Sequence, residues 1–110
     1  MMQDRRSGVD RRATNRFAVN IDVHWEGTVA RQSGTMSDIS FGGCFVLGTG
    51  QVEDGEPVTI FVPLADGMNV EFRGRVANHV YDIGFGVKFD QISPAQRDVI
   101  TRLIAEAGTG

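Results

Sequence analysis

"FAVNIDVHWEG", residues 17–27, decides the fold class. Phe17, Val19, Ile21, Val23 and Trp25 fall at every second position, and Asn20, Asp22, His24 and Glu26 fill the places between them. Successive side chains of an extended chain point to opposite faces. The stretch therefore reads as a strand with one face in a core and one in water.

The same pattern recurs downstream. "SGTMSDIS" (33–40) reads as a weaker strand, and "GGCFVLG" (42–48) is short, β-rich and flanked by glycines. "PVTIFVPL" (57–64) places Val58, Ile60 and Val62 on one face, with prolines at its ends, where a strand tolerates them. "NVEFRGRVANHV" (69–80) opposes Val70, Phe72 and Val76 to Glu71, Arg73 and Arg75. "DIGFGVKFD" (82–90) opposes Ile83, Phe85, Val87 and Phe89 to Gly84, Gly86 and Lys88. The two glycines leave bare backbone on the outer side, suited to tight coiling or to close packing by another group.

Turn chemistry separates these runs: "DG" at 54–55 and 66–67, "GG" at 42–43. Six short strands with glycine-rich turns predict an antiparallel barrel or sandwich. One helix follows in "SPAQRDVITRLIAEA" (93–107). Ser93 is its cap, Pro94 its first residue, and Val99, Ile100, Leu103 and Ile104 form its apolar stripe. The stripe is expected to cover an open end of the barrel.

A chain of 110 residues holds one domain. Residues 1–10 show no periodicity and are expected to be a flexible arm; residues 11–106 are expected to form the domain, with its helix from about residue 94, and residues 107–110 a disordered tail. No apolar run approaches the roughly 20 residues of a membrane-spanning helix. The N-terminal "MMQDRRSGVDRR" has no apolar segment after its charges and does not read as a secretory signal. The lone Cys44 excludes an internal disulfide and, in an apolar strand, is expected to be a buried thiol. A cytoplasmic location is the expectation.

The net charge of −3 is unevenly spread. Arg5, Arg6, Arg11, Arg12 and Arg16 stand against Asp4 and Asp10, so residues 1–16 carry +3. The remaining six basic residues face twelve acidic ones, so residues 17–110 carry −6. Such a body repels a nucleic-acid backbone, whose binding needs many phosphates neutralised. A small anion gripped by a few arginines suits it better. Catalytic signatures are lacking: His24 and His79 do not pair at ligand spacing, one cysteine cannot build a Cys-rich metal site, and no glycine-rich loop leads into a helix. The expectation is a binding protein, not an enzyme, with no cofactor.

"SDISFGGC" (37–44) sets Asp38 and Ser40 two apart, on one side of an extended chain, just before Gly42 and Gly43. Two readings stand on local grounds. The pair stabilises a hairpin turn, or it faces a ligand that glycine allows close to the backbone.

Arg12 and Arg16 of "RATNR", followed by Asp38, Ser40 and Gly43 of "DISFGG", resemble the signature of the PilZ domain family: RxxxR, a strand, then (D/N)xSxxG. All five signature positions match. The resemblance extends through "GEPV", "RGRV", "GFGVKF" and the terminal helix, over roughly residues 5 to 106. It implies a six-stranded antiparallel, Greek-key-like PilZ β-barrel that binds the bacterial second messenger cyclic di-GMP. It also implies a ligand site of Arg11, Arg12, Arg16, Asp38, Ser40, Gly42 and Gly43. The chemistry suits those residues: arginine forks onto phosphate, pairs with guanine O6 and N7, and stacks on a purine. Asp38 can accept from guanine N–H groups. In the family, an arginine at position 11 goes with a stacked pair of ligands. The implied relay is ordering of the N-terminal arm over the barrel, sensed by an unidentified effector protein. Two alternatives stand beside it: a PilZ-like adaptor that does not bind the nucleotide, and a small barrel binding RNA or single-stranded DNA. The acidic body and mostly core-facing aromatics disfavour the second.

Overall fold

The computed structural model describes residues 16–28 and 31–109; Arg11, Arg12 and the expected arm lie outside them. Six strands, β1 (Phe17–Glu26), β2 (Arg31–Ile39), β3 (Gly43–Leu47), β4 (Pro57–Pro63), β5 (Asn69–Val80) and β6 (Gly84–Phe89), are followed by one helix, α1 (Pro94–Thr109). Every neighbouring pair is antiparallel, and the order β1-β2-β3-β6-β5-β4 closes on itself through β1 and β4. Two three-stranded meanders are joined by residues 48–56, which skip from β3 to the non-neighbouring β4 and give the barrel its Greek-key character. The strand pattern leaves barrel and sandwich open; the observed fold is the antiparallel barrel with a terminal helix that the family resemblance implies.

Alternation builds the core. Val23 and Trp25 of β1, Val58, Ile60 and Val62 of β4, Phe72 and Val76 of β5, and Phe85, Val87 and Phe89 of β6 all point inward and are buried. Trp25 meets Phe85 edge-on at 4.8 Å between ring centres, and Phe72 stacks on Phe89 at 5.1 Å. The Asp-Gly turns behave as their chemistry demands: Gly55 and Gly67 have φ of 86° and 88°, where a side chain is strained.

Closure is tight around β6. A Cβ at Gly43 would run into the Val87 carbonyl, and a Cβ at Gly74 into the Lys88 carbonyl. Glycine at those two positions lets β3 and β5 approach β6 from either side.

Three expectations change. Ile83 is not an inward residue of β6. It sits in the β5–β6 turn, 53% exposed, because Asp82 reverses the chain with φ 62° and the strand begins only at Gly84. Phe17 shares the apolar face of β1 yet is 39% exposed, since it lies beyond a bulge between Ala18 and Ile21 at the strand's start. The helix continues to Thr109 and takes in residues expected to form the tail, as no proline interrupts it and Gly108 is accommodated within it.

Ser93 and Gln96 form a reciprocal cap: the Gln96 N–H donates to Ser93 Oγ at 3.1 Å, and the Ser93 N–H donates to Gln96 Oε1 at 2.7 Å. The Gln96 side-chain amide also donates to the Glu71 carbonyl at 2.7 Å, tying the helix start to β5. Val99 and Ile100 join the core, and Leu103 and Ile104 pack against it with Val19 and Ile21 of β1. The stripe thus closes the end of the barrel where β1 begins and β6 finishes. Ile100, with no exposed surface, is its deepest residue. Ile100→Ala is expected to cost about 2–4 kcal/mol, through lost burial and a residual cavity, read as a lower urea midpoint with unchanged slope.

Candidate anion-binding site

The motif residues gather at that same barrel end, on its outer surface. β2 ends at Ile39, whose side chain is fully buried, so the preceding Asp38 points outward. Arg16 immediately precedes β1, and Phe17 pairs with Ile39, which brings Arg16 alongside the end of β2. Arg16 Nη1 donates to Asp38 Oδ1 at 2.7 Å. The two side chains remain 50% and 29% exposed. An ion pair this open contributes about 0–1 kcal/mol to stability, so it costs little to rearrange around a ligand.

Ser40 does not project beside Asp38. It leaves the strand and tucks into the turn, 3% exposed. Its Oγ accepts from the Gly42 and Gly43 N–H groups, both at 3.1 Å, and donates to the Gly43 carbonyl at 3.3 Å. The Ser40 N–H donates to the same carbonyl at 2.8 Å. The hydroxyl thus fixes the β2–β3 turn. Gly43 is buried against β6, whereas Gly42 is exposed and a Cβ there would meet only Ser40 Oγ, at an ordinary 3.9 Å. Of the expected site residues, the fold brings Arg16, Asp38 and the Ser40–Gly43 turn together; Arg11 and Arg12 lie outside the described residues.

Phe41, the residue between Ser40 and Gly42, connects the turn to the helix. The Arg97 guanidinium lies over its ring, 4.6 Å from the centre. Behind the turn, Cys44 is fully buried and pairs with Ile39. Burial, then the charge of Asp38, pushes its thiol pKa up to about 12, and Arg16 offsets a little of this.

A cavity of about 400 Å³ lies at the opposite end of the barrel. Gly48, Gly50, Val80 and Tyr81 line it along with Glu53, Glu56 and Asp82. Glu56 accepts from the Thr28 N–H and hydroxyl and from the Glu53 N–H. These bonds, the Thr28 N–H first, hold its carboxyl below the ordinary value, against a smaller opposing effect of burial. A wall of carboxylates is the wrong sign for a phosphodiester. The candidate anion site is therefore the open surface at Arg16 and not this hollow.

Two outcomes follow from this geometry. Ser40→Ala strips the acceptor from two turn N–H groups, one of them buried, and is expected to lower stability by about 1–3 kcal/mol in the absence of any ligand. Urea denaturation reads this directly. The raised Cys44 pKa means the folded state holds its proton more tightly than the unfolded chain. The stabilisation is fully present below the unfolded value of 9.0 and is lost as pH rises towards 12. At pH about 8, an alkylating reagent is expected to leave Cys44 unmodified until denaturant is added.

Known proteins share both the sequence pattern and the architecture. The family model for the PilZ domain matches residues 10–106. No curated protein matches the chain. Among solved structures, the barrel is similar to the PilZ domain of CeSA from a cellulose-synthesizing bacterium, with 21% identity and a TM-score of 0.64 over 84% of this chain and 96% of that one. It is similar also to PlzA of Borreliella burgdorferi in complex with c-di-GMP, at 14% identity and TM-score 0.69, covering 88% of this chain and 42% of that one. The inhibitor of motility MotI/DgrA of Bacillus subtilis gives 15% identity and TM-score 0.69, over 83% and 48%. The chain spans less than half the length of the last two. With the family model covering nearly all of its length, this chain belongs to the PilZ domain family.

Proposed function

We propose that this PilZ domain is a receptor for cyclic di-GMP. The observation that carries the proposal is the Arg16–Asp38 pair at 2.7 Å, standing open on the barrel surface beside the rigid Ser40–Gly43 turn. A cation and an acceptor side by side match a ligand that offers phosphate oxygens and guanine N–H groups together. On binding, Arg16 would trade its carboxylate for a phosphodiester or a guanine edge, and Asp38 would be released to accept from the base. PlzA, of similar fold, was solved with c-di-GMP bound, which supports the same ligand class here.

Arg11 and Arg12 complete the site in this reading, on the strength of the sequence. With Arg11 present, two stacked ligands are the proposed load. The relay passes through the arm: anionic ligand gathers the arginines of residues 1–16, the surface at this end of the barrel changes, and a partner protein reads the change. Phe41 and Arg97 place the helix next to that surface, so α1 is within its reach.

Calorimetric titration with cyclic di-GMP tests the proposal. Saturable binding is expected, with two ligands per chain. Arg12→Ala, Arg16→Ala and Asp38→Ala are each expected to weaken it roughly 10- to 100-fold, the scale of a lost charged hydrogen bond. Titration with GMP should give far weaker heats. No heat and no shift in melting temperature at high ligand would leave this chain as a PilZ adaptor that works by protein contact alone.

A further inference from the structure

The outer surface beside Asp38 carries more than the signature. Cys44 and Val46 of β3 point into the core, so Phe45 between them points out. Phe45 is the cross-strand partner of Asp38 on one side and of Gly86 on the other. Paired residues share a face, with Cβ atoms about 5 Å apart. Phe45 therefore stands next to the Asp38 carboxylate that holds Arg16.

The ring does not stand away from the sheet. Its Cε2 comes within 3.0 Å of where a Cβ of Gly84 would be, and its Cδ1 within 3.7 Å of that of Gly86. Both glycines face outward, opposite to Phe85 and Val87, yet both are buried. The ring of Phe45 borders both: it lies close against Gly84, while Gly86 is covered first by the Asn78 side chain, whose Oδ1 is 2.5 Å from that Cβ position, and beyond it by the ring. Phe45 is half-buried, so part of its side chain remains open to solvent.

Lys88 completes the surface. It follows Gly86 on the same face of β6, two residues on, and pairs with Gly43. It is exposed, and its ammonium makes no hydrogen bond or ion pair among the described residues. Gly43 puts no side chain between Lys88 and the motif turn. At about 4.8 Å per strand, two strands separate Lys88 from the Asp38 strand by roughly 10 Å, within the span of a cyclic dinucleotide.

We propose that Phe45 and Lys88 extend the ligand site across β3 and β6: Phe45, seated beside Gly84 and Gly86, stacks a purine of the ligand, and Lys88 pairs with its phosphodiester. The proposal rests on the reading that this surface takes cyclic di-GMP. It adds two contacts that the RxxxR and DxSxxG signature does not contain. An aromatic face is tolerant of which base it stacks, whereas Asp38 and the arginines read the guanine edge. The extension therefore supplies affinity, and the signature supplies specificity.

The test uses the full chain, with cyclic di-GMP followed by calorimetry in low and high salt. Phe45→Leu keeps apolar bulk beside the glycines and removes the π-face; it is expected to weaken binding about tenfold, the scale of one lost base stack. Lys88→Gln is expected to weaken binding several-fold and to flatten its dependence on salt. Phe45→Trp is expected to retain affinity and to report the stack directly, its fluorescence being quenched by ligand while the buried Trp25 contributes a constant background. That last arm does not depend on the folding of the leucine variant. Intact binding heat with no quenching in Phe45→Trp overturns the role of Phe45. Wild-type affinity and salt dependence in Lys88→Gln overturns that of Lys88. Either result would leave the receptor reading in place, whereas absence of binding by the wild-type chain overturns both.

Discussion

The structure depends on how closely β3 and β5 press against β6. Six strands close into a small barrel only if neighbouring backbones come nearer than side chains normally allow, and Gly43 and Gly74 provide this at the Val87 and Lys88 carbonyls. Any Cβ at either position would push a flanking strand outward and open the sheet. The core aromatics Trp25, Phe72, Phe85 and Phe89 then fill an interior whose width the two glycines have set.

That constraint shows the signature in a different light. Gly43 belongs to DxSxxG, yet its absence of a side chain serves the contact between β3 and β6. Ser40 belongs to it too, and its hydroxyl is occupied by the turn's own backbone. Two of the three fixed positions in that half of the motif thus build the platform, leaving Asp38 as the one that faces outward. Arg16, at the edge of β1, meets Asp38 because Phe17 is in register with Ile39. A strand register, and not a loop conformation, sets the spacing between the cation and the acceptor. This matters for the proposed receptor role, since positions set by strands keep their spacing whether or not a ligand is present.

The sequence exposes the fold through period two. Wherever apolar and polar residues alternate, as in β1, β4 and β5, the inward face follows directly. It is less informative where the pattern depends on neighbours distant in the chain. "GGCFVLG" has no polar residue to mark a face, so nothing local says that Phe45 points out while Cys44 and Val46 point in. Ile83 continues the alternation of β6 on paper, but the turn at Asp82 takes it out of the strand. Ser40 follows Asp38 at strand spacing, yet the turn hydrogen bonds claim its side chain. The glycines at 84 and 86 did signal a close approach, but which group approaches is a matter of register between β3 and β6 that no short window contains.

The electrostatic plan is consistent with a small ligand at one end and something else at the other. The acidic body would weaken a broad polyanion contact, but over a few ångströms local cations dominate. Arg16 and Lys88 flank the motif turn, while Glu53, Glu56 and Asp82 surround the hollow at the far end. Arg97 stacks on Phe41, in the middle of the motif turn. The turn is fixed by Ser40 from beneath and held by Arg97 from above, so a ligand that draws on Asp38 and Arg16 acts on a rigid element that the helix also grips. In the proposed receptor role, the surface open to a partner would comprise the motif, β3 and the first turn of α1, and a bound anion would change the charge of that surface without any rearrangement of the barrel.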